Sequence, residues 1–361
     1  MLKVQEYLKS GKSLEDLEND YSISSKVYDD RVILKYKMID SQKYHPITME
    51  CRGLILSLPD FEVMCRPFDR FFNYGEGDDW KHFNWDNCKC FEKLDGSLIN
   101  IYHNRFKDTW NVATKGTAFA EATTPMGDPY SYLVSEAINH VDFQKFCENL
   151  HPIYTYIFEI TSPKNRIVTR YTETTLTLLA VRNKLTGEYL DYDVLEYYFP
   201  HMFPIGGVEL VKDYSFNSAE KVIEFVESRG ELDEGLVCYD VEKQLRMKIK
   251  NSSYVAIHHL RGNEVTVKSI VRLLLKGEMV EYLNYFPEDG DLVKPYLKKF
   301  NELMANVERI FMKYSMIEDQ KEFALKVKDL PFAWMLFNMR KGQLIEEIFS
   351  IDNFNKIYKL F

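Results

Sequence analysis

The chain has 361 residues, well above the roughly 150 of a typical domain, and this length predicts two domains or one large one. A hydrophobic fraction of 45% and an aromatic fraction of 14% exclude an intrinsically disordered chain, because they supply ample apolar area for a core. The formal charge of −9 argues against a general nucleic-acid coat or an anionic-membrane binder, but it leaves room for a local basic groove.

The amino-terminal sequence carries no signal for export. It lacks the apolar stretch of a signal peptide, and no run in the chain approaches the ~18 apolar residues of a membrane span. The six cysteines are scattered, so we expect reduced thiols and not a disulfide framework. Cys88 and Cys90 form the only close pair, and no further cysteine or histidine set completes a zinc site with them. We therefore expect a cytoplasmic protein without membrane contact.

Alternating and β-branched apolar residues dominate residues 31–250 and predict strands. The strand-like segments are RVILKYKM, RGLILSL, KCFEKLDGSLINIY, WNVATKG, YTYIFEIT, TTLTLLAV, EGLVCYD and LRMKIK. Helical periodicity is found at SLEDLENDY near the start of the chain, and it interrupts the strands at residues 133–150 and 217–230. The last of these helices has Asn217 and Ser218 as capping candidates and Gly230 as its end. This pattern predicts an α+β fold with a mostly antiparallel sheet.

After His259 the pattern changes to the three-to-four residue spacing of helices. The predicted helices lie in KSIVRLLLKG, KPYLKKFNELMANVERIFMKYSMI, KEFALKVKDL and GQLIEEIFSI. A polar, glycine-containing turn at residues 261–263 separates a predicted first domain, residues 1–262, from an all-helical second domain, residues 263–361. The basic residues of this helical tail are equally well explained by a solvated helix face.

The sharpest local motif is Lys93-Leu94-Asp95-Gly96-Ser97, which lies between two strand-like segments. Asp-Gly predicts a tight turn at this point. By chance alone, K-x-D-G occurs in roughly one chain of this length in ten. Taken alone, the motif is explained by an ordinary hairpin with a solvated lysine.

Charged residues inside other predicted strands weaken that simple explanation, because unpaired charge in a strand is costly. These residues are Glu159, Glu234, Lys248 and Lys250. Lys248 and Lys250 are two apart and share one face of a strand, so a bound anion such as phosphate would relieve their repulsion. The alternative is an exposed sheet face on which each lysine pairs with a glutamate.

Taken in order, these segments resemble the covalent nucleotidyltransferases, and most closely the bacteriophage ATP-dependent RNA ligase 1 family, which repairs broken tRNA. The matching stretches are Glu50-Cys51-Arg52-Gly53, Arg66-Pro67-Phe68-Asp69-Arg70-Phe71-Phe72-Asn73, Lys93-Leu94-Asp95-Gly96-Ser97, Thr114-Lys115-Gly116, Phe158-Glu159 with Asn165-Arg166-Ile167-Val168, Thr186-Gly187-Glu188-Tyr189, Glu234-Gly235, and Lys248-Ile249-Lys250 with Tyr254. Order and spacing match over about residues 30–260. The resemblance implies an antiparallel-sheet nucleotidyltransferase domain, of an ATP-grasp-like ligase type, followed by an all-helical carboxy-terminal domain.

The resemblance implies a three-step reaction with ATP. The family forms a lysyl-AMP, passes AMP to an RNA 5′-phosphate, and lets a 3′-hydroxyl displace AMP. Lys93 would be the catalytic nucleophile, and because only a neutral amine attacks phosphorus, it needs nearby cations such as Lys248, Lys250 and a bound metal. Carboxylates suit Mg²⁺ or Mn²⁺, and the candidate metal ligands, acting through water, are Asp95, Glu159 and Glu234.

The family pattern also assigns nucleotide contacts. Glu159 matches the position that binds the ribose hydroxyls. The basic positions that contact phosphate are matched by Arg52, Lys115, Lys248 and Lys250. Tyr36 and Tyr254 match aromatic positions of the nucleotide pocket, with core packing as the alternative for each. Arg70 stands where the family commonly has lysine, so a planar guanidinium group replaces a compact ammonium group as the hydrogen-bond donor.

Several other functions remain open from the sequence. DNA ligases and capping enzymes usually continue into a β-rich OB domain, whereas this tail predicts helices. A type 2 RNA ligase, which seals nicks or edits RNA, also has a helical tail and is the main alternative. A catalytically inactive RNA-binding protein is the alternative of a different class.

The resemblance also implies partners. RNA ends, and broken tRNA in particular, would be the substrate, and the helical tail would contribute to tRNA recognition. An RNA end-healing kinase/phosphatase would act together with the ligase. We expect a monomer, located in the host cytoplasm if a phage encodes it.

Overall fold

The computed structural model describes residues 1–204, 207–261 and 265–361. They form two compact units, Met1–Val255 and Ala256–Phe361. The sequence placed the boundary slightly later, at Gly262 and Asn263, and these two residues lie outside the described part. The roles predicted for the two units stay predictions.

The described residues of the first unit contain three sheets. The strands are β1 (Ile23–Val27), β2 (Arg31–Tyr36), β3 (Arg52–Ser57), β4 (Val63–Cys65), β5 (Phe72–Asn73), β6 (Cys88–Glu92), β7 (Ser97–Asn104), β8 (Thr109–Thr114), β9 (Tyr154–Thr161), β10 (Thr175–Asn183), β11 (Val208–Leu210), β12 (Asp213–Tyr214), β13 (Gly235–Asp240) and β14 (Leu245–Lys250). We name the sheets by their strand orders: the amino-terminal sheet is β1-β2-β3-β4, the central sheet is β11-β10-β9-β7-β8, and the lysine sheet is β12-β6-β13-β14-β5. Pairing is antiparallel except for β10 with β11 and β14 with β5, which confirms the prediction of a mostly antiparallel α+β fold.

Helices of the first unit cover one side of the sheets. They are α1 (Lys3–Lys9), α2 (Leu14–Tyr21), α3 (Pro46–Glu50), α4 (Tyr130–Ala137), α5 (Phe143–Phe146), α6 (Tyr192–Met202) and α7 (Ala219–Glu227), and α8 (Ser252–Arg261) contains the division between the units. Ser218 caps α7 as predicted, by accepting a hydrogen bond from the amide of Lys221. The single helix expected at residues 133–150 is instead two short ones, α4 and α5. Helix α6 was not expected, because its many aromatic residues favour strands locally.

The second unit is helical, as the sequence predicted. Its helices are α9 (Val267–Lys276), α10 (Met279–Tyr285), α11 (Gly290–Tyr314), α12 (Gln320–Val327), α13 (Ala333–Arg340), α14 (Ile345–Ile348) and α15 (Phe354–Tyr358). Helix α9 shows why: Thr266 caps its start, Gly277 ends it at a φ of 74°, and the face containing Ile270 and Leu274 is buried. Within the described residues, no helix has both the length and the apolar character that crossing a membrane requires.

Two sheets bury one face against helices and turn the other toward a cavity. On the lysine sheet, Met247 and Ile249 pack with Val222 of α7, while Lys248 and Lys250 line the cavity. The central sheet is divided in the same way, with apolar residues packed on its helix side and Glu159 on its cavity side. Because side chains alternate along each strand, one face of the sheet packs in the core and the other lines the cavity. Lys248 and Lys250 share one face, as predicted.

The segment Lys93-Leu94-Asp95-Gly96 is not a hairpin turn. It joins β6 of the lysine sheet to β7 of the central sheet, and these two strands do not pair with each other. A Cβ atom on Gly96 would lie 2.3 Å from the carbonyl oxygen of Ile160 in β9. Glycine is therefore required here by the close approach of a neighbouring strand, and the hairpin interpretation of this motif was wrong.

Candidate active site

A cavity of about 160 Å³ lies between the central and lysine sheets. We call it the nucleotide cavity, after the nucleotide pocket that the sequence resemblance implies. Five predicted site residues line it: Arg52, Lys93, Glu159, Lys248 and Lys250. The sequence did not identify its apolar walls, which include Phe71, Leu98, Leu179 and Val237. Flat apolar walls beside convergent charges are the usual arrangement of a small-molecule site.

Lys93 is held in an ion-pair network with Glu234 and Lys250. The Nζ atom of Lys93 lies 2.6 Å from Oε2 of Glu234, and the Nζ atom of Lys250 lies 2.8 Å from Oε1 of the same carboxylate. Glu234 is only 6% exposed, and burial alone would raise its pKa, but the two ammonium groups outweigh burial and lower it. Glu234 is therefore ionised at neutral pH and fixes both lysines.

Lys248 lies in a strongly cationic environment. Burial lowers the pKa of Lys248 to about 7, and repulsion from Arg52, Lys93 and Lys250 adds to this effect. The ring of Phe71 lies under two of these cations, with its centre 5.0 Å from both the Lys248 Nζ and the Arg52 Cζ. The Nη1 atom of Arg52 is buried without a hydrogen-bond partner. A bound anion would supply the acceptor that this group lacks.

Glu159 lies in β9, on the cavity side of the central sheet. Burial raises the pKa of Glu159 to about 8, and the negative charges of Glu234 and Asp95 add to this against the opposing effect of Lys93 and Arg52. In the register of the sheet it is paired with Leu98 and Thr177. Its carboxylate thus faces the nucleotide cavity beside Lys93, as the sequence predicted.

Asp95 has a positioning role in this structure. Its Oδ2 atom accepts hydrogen bonds of 2.7 Å from the amides of Val168 and Thr169, and its Oδ1 accepts one of 2.6 Å from the hydroxyl of Tyr254. These contacts tie the segment that follows Lys93 to two distant parts of the chain. Direct contact of Asp95 with a metal stays a prediction, and so does contact of Tyr254 with a nucleotide.

Three other predicted residues form a separate cluster around the ring of Tyr36. Lys115 donates a hydrogen bond of 3.1 Å to the Tyr36 hydroxyl, and the Arg70 guanidinium carbon lies 4.1 Å from the ring centre. Burial would raise the pKa of Tyr36, but Lys115, together with Arg52 and Arg70, lowers it. In the described part of the chain, neither Lys115 nor Arg70 forms an ion pair with a carboxylate. The cluster does not line the nucleotide cavity, and its predicted phosphate contacts stay predictions.

The part of the chain that the structure describes contains no preformed metal cage. Among residues 1–204, 207–261 and 265–361, no group of three or more His, Cys, Asp or Glu side chains is placed to hold a metal ion. The six cysteines are free thiols, as expected, and Cys90 and Cys238 face each other across β6 and β13. Of the predicted metal ligands, Glu159 and Glu234 present carboxylates near Lys93 in a way that suits an ion keeping its water shell. Glu92 also lines the cavity, but it pairs with Arg229 at 2.7 Å.

A comparison with known proteins identifies the family of this chain. The model of the RNA ligase family matches residues 50–254. The chain belongs to the RNA ligase family. This confirms the resemblance inferred from the ordered motifs.

Similar proteins extend the family match over most of the chain. A protein of Autographa californica nuclear polyhedrosis virus, assigned as a bifunctional polynucleotide kinase/RNA ligase, is 32% identical over 363 residues, which cover 96% of this chain and 50% of that protein. The chain thus spans half the length of this viral relative. An RNA ligase of Rhodothermus phage RM378 is 24% identical over 352 residues and 79% of each chain. An archaeal ATP-dependent RNA ligase shares the fold, with a TM-score of 0.52 and 14% identity over 93% of this chain and 80% of that one.

Glu159 should lower the stability of the fold at high pH. Its pKa is about 8 in the fold, against an ordinary value of 4.5. The folded state therefore binds more protons than the unfolded state between these values, and stability falls as pH rises through them. We expect Glu159→Gln to gain stability relative to the wild type between pH 5 and pH 9, because each unit of pKa shift corresponds to about 1.4 kcal/mol. Urea unfolding at both pH values measures the difference.

The matched control is Glu148→Gln, because Glu148 is exposed. Its effect on stability should be the same at both pH values. A pH-independent effect of Glu159→Gln would show that the carboxylate of Glu159 is not destabilised by its burial.

Proposed function

We propose that this protein is an ATP-dependent RNA ligase, which joins RNA 5′-phosphate and 3′-hydroxyl ends through lysyl-AMP and RNA-adenylate intermediates. The observation that carries the proposal is the ion-pair network at the nucleotide cavity, where Glu234 holds the Lys93 Nζ beside Lys250. Membership of the RNA ligase family supports the same reaction.

The residues of the nucleotide cavity would have different roles in the first step, the reaction of Lys93 with ATP. The Lys93 ammonium group would first pass a proton to the Glu234 carboxylate, 2.6 Å away. The neutral nitrogen would then form a bond to the α-phosphorus of ATP as the bond to the leaving pyrophosphate breaks, and its second proton would leave to water or pyrophosphate. Glu234 fixes the position of that nitrogen, and the cationic groups of Lys248, Lys250 and Arg52 stabilise the charge that develops on the phosphate oxygens. The apolar walls would hold the adenine base, and Glu159 would hold the ribose hydroxyls.

The residues fit a hydrated Mg²⁺ or Mn²⁺ ion. Magnesium usually keeps several waters and binds through one or two carboxylates together with the phosphates of its substrate. Glu159 and Glu234 would hold it in this way, and Asp95 would contribute through water if at all, because both its oxygens accept hydrogen bonds from the protein. When bound, the metal would neutralise charge on the reacting phosphates.

The substrates would be broken RNA strands, including tRNA. Ends left by RNA breakage often need a 5′-phosphate and a 3′-hydroxyl to be restored before they can be joined. The assignment of the viral relative as a bifunctional polynucleotide kinase/RNA ligase supports action together with an end-healing kinase/phosphatase. We propose that the ligase acts as a monomer in the cytoplasm, inside the host cell if a phage encodes it.

Intact mass spectrometry tests the proposal. After incubation with ATP and Mg²⁺, the protein should gain the mass of one AMP, whereas an inactive RNA-binding protein should not. Sealing is then compared on a nicked anticodon stem-loop, a nicked duplex and a linear single strand. Preference for the nicked duplex would favour a type 2 ligase over the tRNA-repair type.

Removing the helical tail should separate the two predicted roles. A truncated protein of residues 1–262 should still react with ATP at about the wild-type rate, because every residue assigned to the nucleotide lies before Ala256. We expect its sealing of a tRNA-like break to fall about tenfold more than its sealing of a single strand, if the tail selects the RNA. Self-adenylylation, both sealing rates and circular dichroism are measured together.

Each other result has a clear meaning. Equal losses on both RNAs with normal adenylylation would make general RNA binding the role of the tail. Loss of adenylylation in a folded truncated protein would contradict an independent catalytic domain.

A further inference from the structure

A second, larger cavity of about 440 Å³ lies next to the nucleotide cavity. Four arginines line it, and we call it the arginine cavity: Arg66, Arg70, Arg182 and Arg246. It shares Phe68, Phe71 and Arg246 with the nucleotide cavity, so the two spaces are contiguous. None of the roles assigned above uses this cavity as a whole.

Arg66, like Arg70 and Arg246, forms no ion pair with a described carboxylate, and it differs from those two in having an unsatisfied buried atom. Its side chain is half-buried, and its Nε atom is buried without a hydrogen-bond partner. Among the described carboxylates, none lies within ion-pair distance of its guanidinium group. Burial lowers the pKa of Arg66, and the neighbouring Arg182 lowers it further. A cation in such a place is stabilised when an anion enters.

The acidic residues that line the arginine cavity are occupied elsewhere or exposed. Glu50 accepts hydrogen bonds of 2.9 Å from the amides of Lys3 and Val4 at the start of α1. Asp69 forms a two-pronged ion pair with Arg182, at 2.6 and 3.1 Å. Glu188 is exposed. Asp69 and Glu50 attract Arg66 at longer range, but neither forms an ion pair with it.

Arg246 continues the cationic face of β14 into the arginine cavity. Arg246, Lys248 and Lys250 alternate along one strand and so share a face, at steps of roughly 6.6 Å. Lys250 forms an ion pair with Glu234, which also pairs with Lys93. Arg246 lies between the rings of Tyr189 and Tyr239, and the centre of each ring is 3.8 Å from its guanidinium carbon. A row of cations therefore leads from the nucleophile toward Arg66.

We propose that the arginine cavity binds a phosphate group of the RNA strand that is being joined, and that Arg66 is the cation that contacts it. This inference rests on the proposed ligase function, because it places the RNA beside the lysyl-AMP. The cavity is large enough for a nucleotide, and its paired rings and guanidinium groups suit a sugar-phosphate strand. The phosphate is either the 5′-terminal one or one within the strand.

The test is RNA binding by the full-length protein carrying Arg66→Gln, measured by fluorescence anisotropy without ATP. The probe is a labelled single-stranded oligoribonucleotide at several salt concentrations. We expect affinity to fall about tenfold, and the slope of log affinity against log salt to decrease by about 0.7, the value for loss of one phosphate contact with a single strand. Arg105→Gln is the matched control, because Arg105 is exposed and lies in the turn between β7 and β8; it should leave both quantities unchanged.

Two probes distinguish the source of the phosphate. If the effect of Arg66→Gln is seen only with a 5′-phosphorylated probe, the cavity holds the terminal phosphate. If it is equal for probes with a 5′-phosphate and a 5′-hydroxyl, the cavity holds a phosphate within the strand. Arg66→Lys keeps the charge, so it should retain the wild-type salt slope and provides a second readout if Arg66→Gln is poorly folded.

Three results would overturn the inference. One is an unchanged affinity and salt slope in folded Arg66→Gln. Another is a salt slope in Arg66→Lys as low as that of the uncharged variant. The third is a raised KM for ATP in self-adenylylation with normal RNA binding, which would assign the cavity to the phosphates of ATP. If the wild type binds RNA but neither adenylylates itself nor seals ends, the proposed function fails while the phosphate site stands.

Discussion

Lys93→Ala should abolish transfer of AMP to the protein. Lys93 is the lysine of the K-x-D-G motif, and its amine is the nitrogen that Glu234 holds at the edge of the nucleotide cavity. Alanine has no nucleophile, and the other cavity lysines, Lys248 and Lys250, are fixed on a separate strand. Radiolabelled ATP followed by gel electrophoresis measures the loss, which we expect to exceed about a thousandfold.

Two further variants make this result specific. Lys93→Arg should be equally inactive, because a guanidinium group stays protonated at any usable pH. Lys89→Ala is the matched control: Lys89 lies on β6, the strand that ends just before Lys93, pairs with Asp193 at 2.7 Å and is absent from the nucleotide cavity. It should adenylylate normally. An adenylate that persists on Lys93→Ala would show that the nucleophile has been assigned to the wrong residue.

Glu234→Gln should slow self-adenylylation by about a hundredfold or more. The amide keeps the shape of the side chain but not the charge that holds Lys93 and Lys250 at 2.6 and 2.8 Å. The two ammonium groups would then repel each other, and a displacement of the nucleophile by about 1 Å costs on the order of a hundredfold in rate. Single-turnover measurements of lysyl-AMP formation give the effect on the first step alone.

The control for this variant is Glu224→Gln on the exposed face of α7, which should react at the wild-type rate. Circular dichroism separates catalysis from folding. If Glu234→Gln unfolds at 25 °C, the carboxylate is mainly a structural partner of the lysines. If it folds and reacts at the wild-type rate, Glu234 does not position the nucleophile.

The sequence predicted most of the charged site and little of its surroundings. Lys248 and Lys250 were placed correctly on one face, because a strand alternates its side chains wherever it lies. Lys93 was singled out by the K-x-D-G motif, and Glu159 and Glu234 because charge in a strand needs a partner. The shared face and the cost of buried charge depend only on local periodicity and electrostatics, which a single sequence contains, whereas the roles of these residues were implied by the resemblance to the RNA ligase 1 family.

Features that depend on long-range packing could not be predicted. The K-x-D-G segment suggested a hairpin, because nothing local reveals that β6 and β7 join different sheets. The walls formed by Leu98, Leu179 and Val237 have the same alternating pattern as strands buried in a core. The hydrogen bonds of Asp95 join segments more than seventy residues apart in the sequence.

The crossing of the chain from one sheet to the other has a mechanical consequence. Lys93, Glu234 and Lys250 belong to the lysine sheet or its edge, whereas Glu159 belongs to the central sheet. A nucleotide that contacts both groups acts as a clamp across the two sheets, so part of its binding free energy is used to hold them at one separation. On the proposed function, the lysine that would become bonded to AMP lies on the covalent link between the sheets. The adenylate would then anchor the nucleotide covalently on the lysine side of the cleft, while its contacts with the central sheet stay non-covalent, so the clamp would persist after pyrophosphate has left.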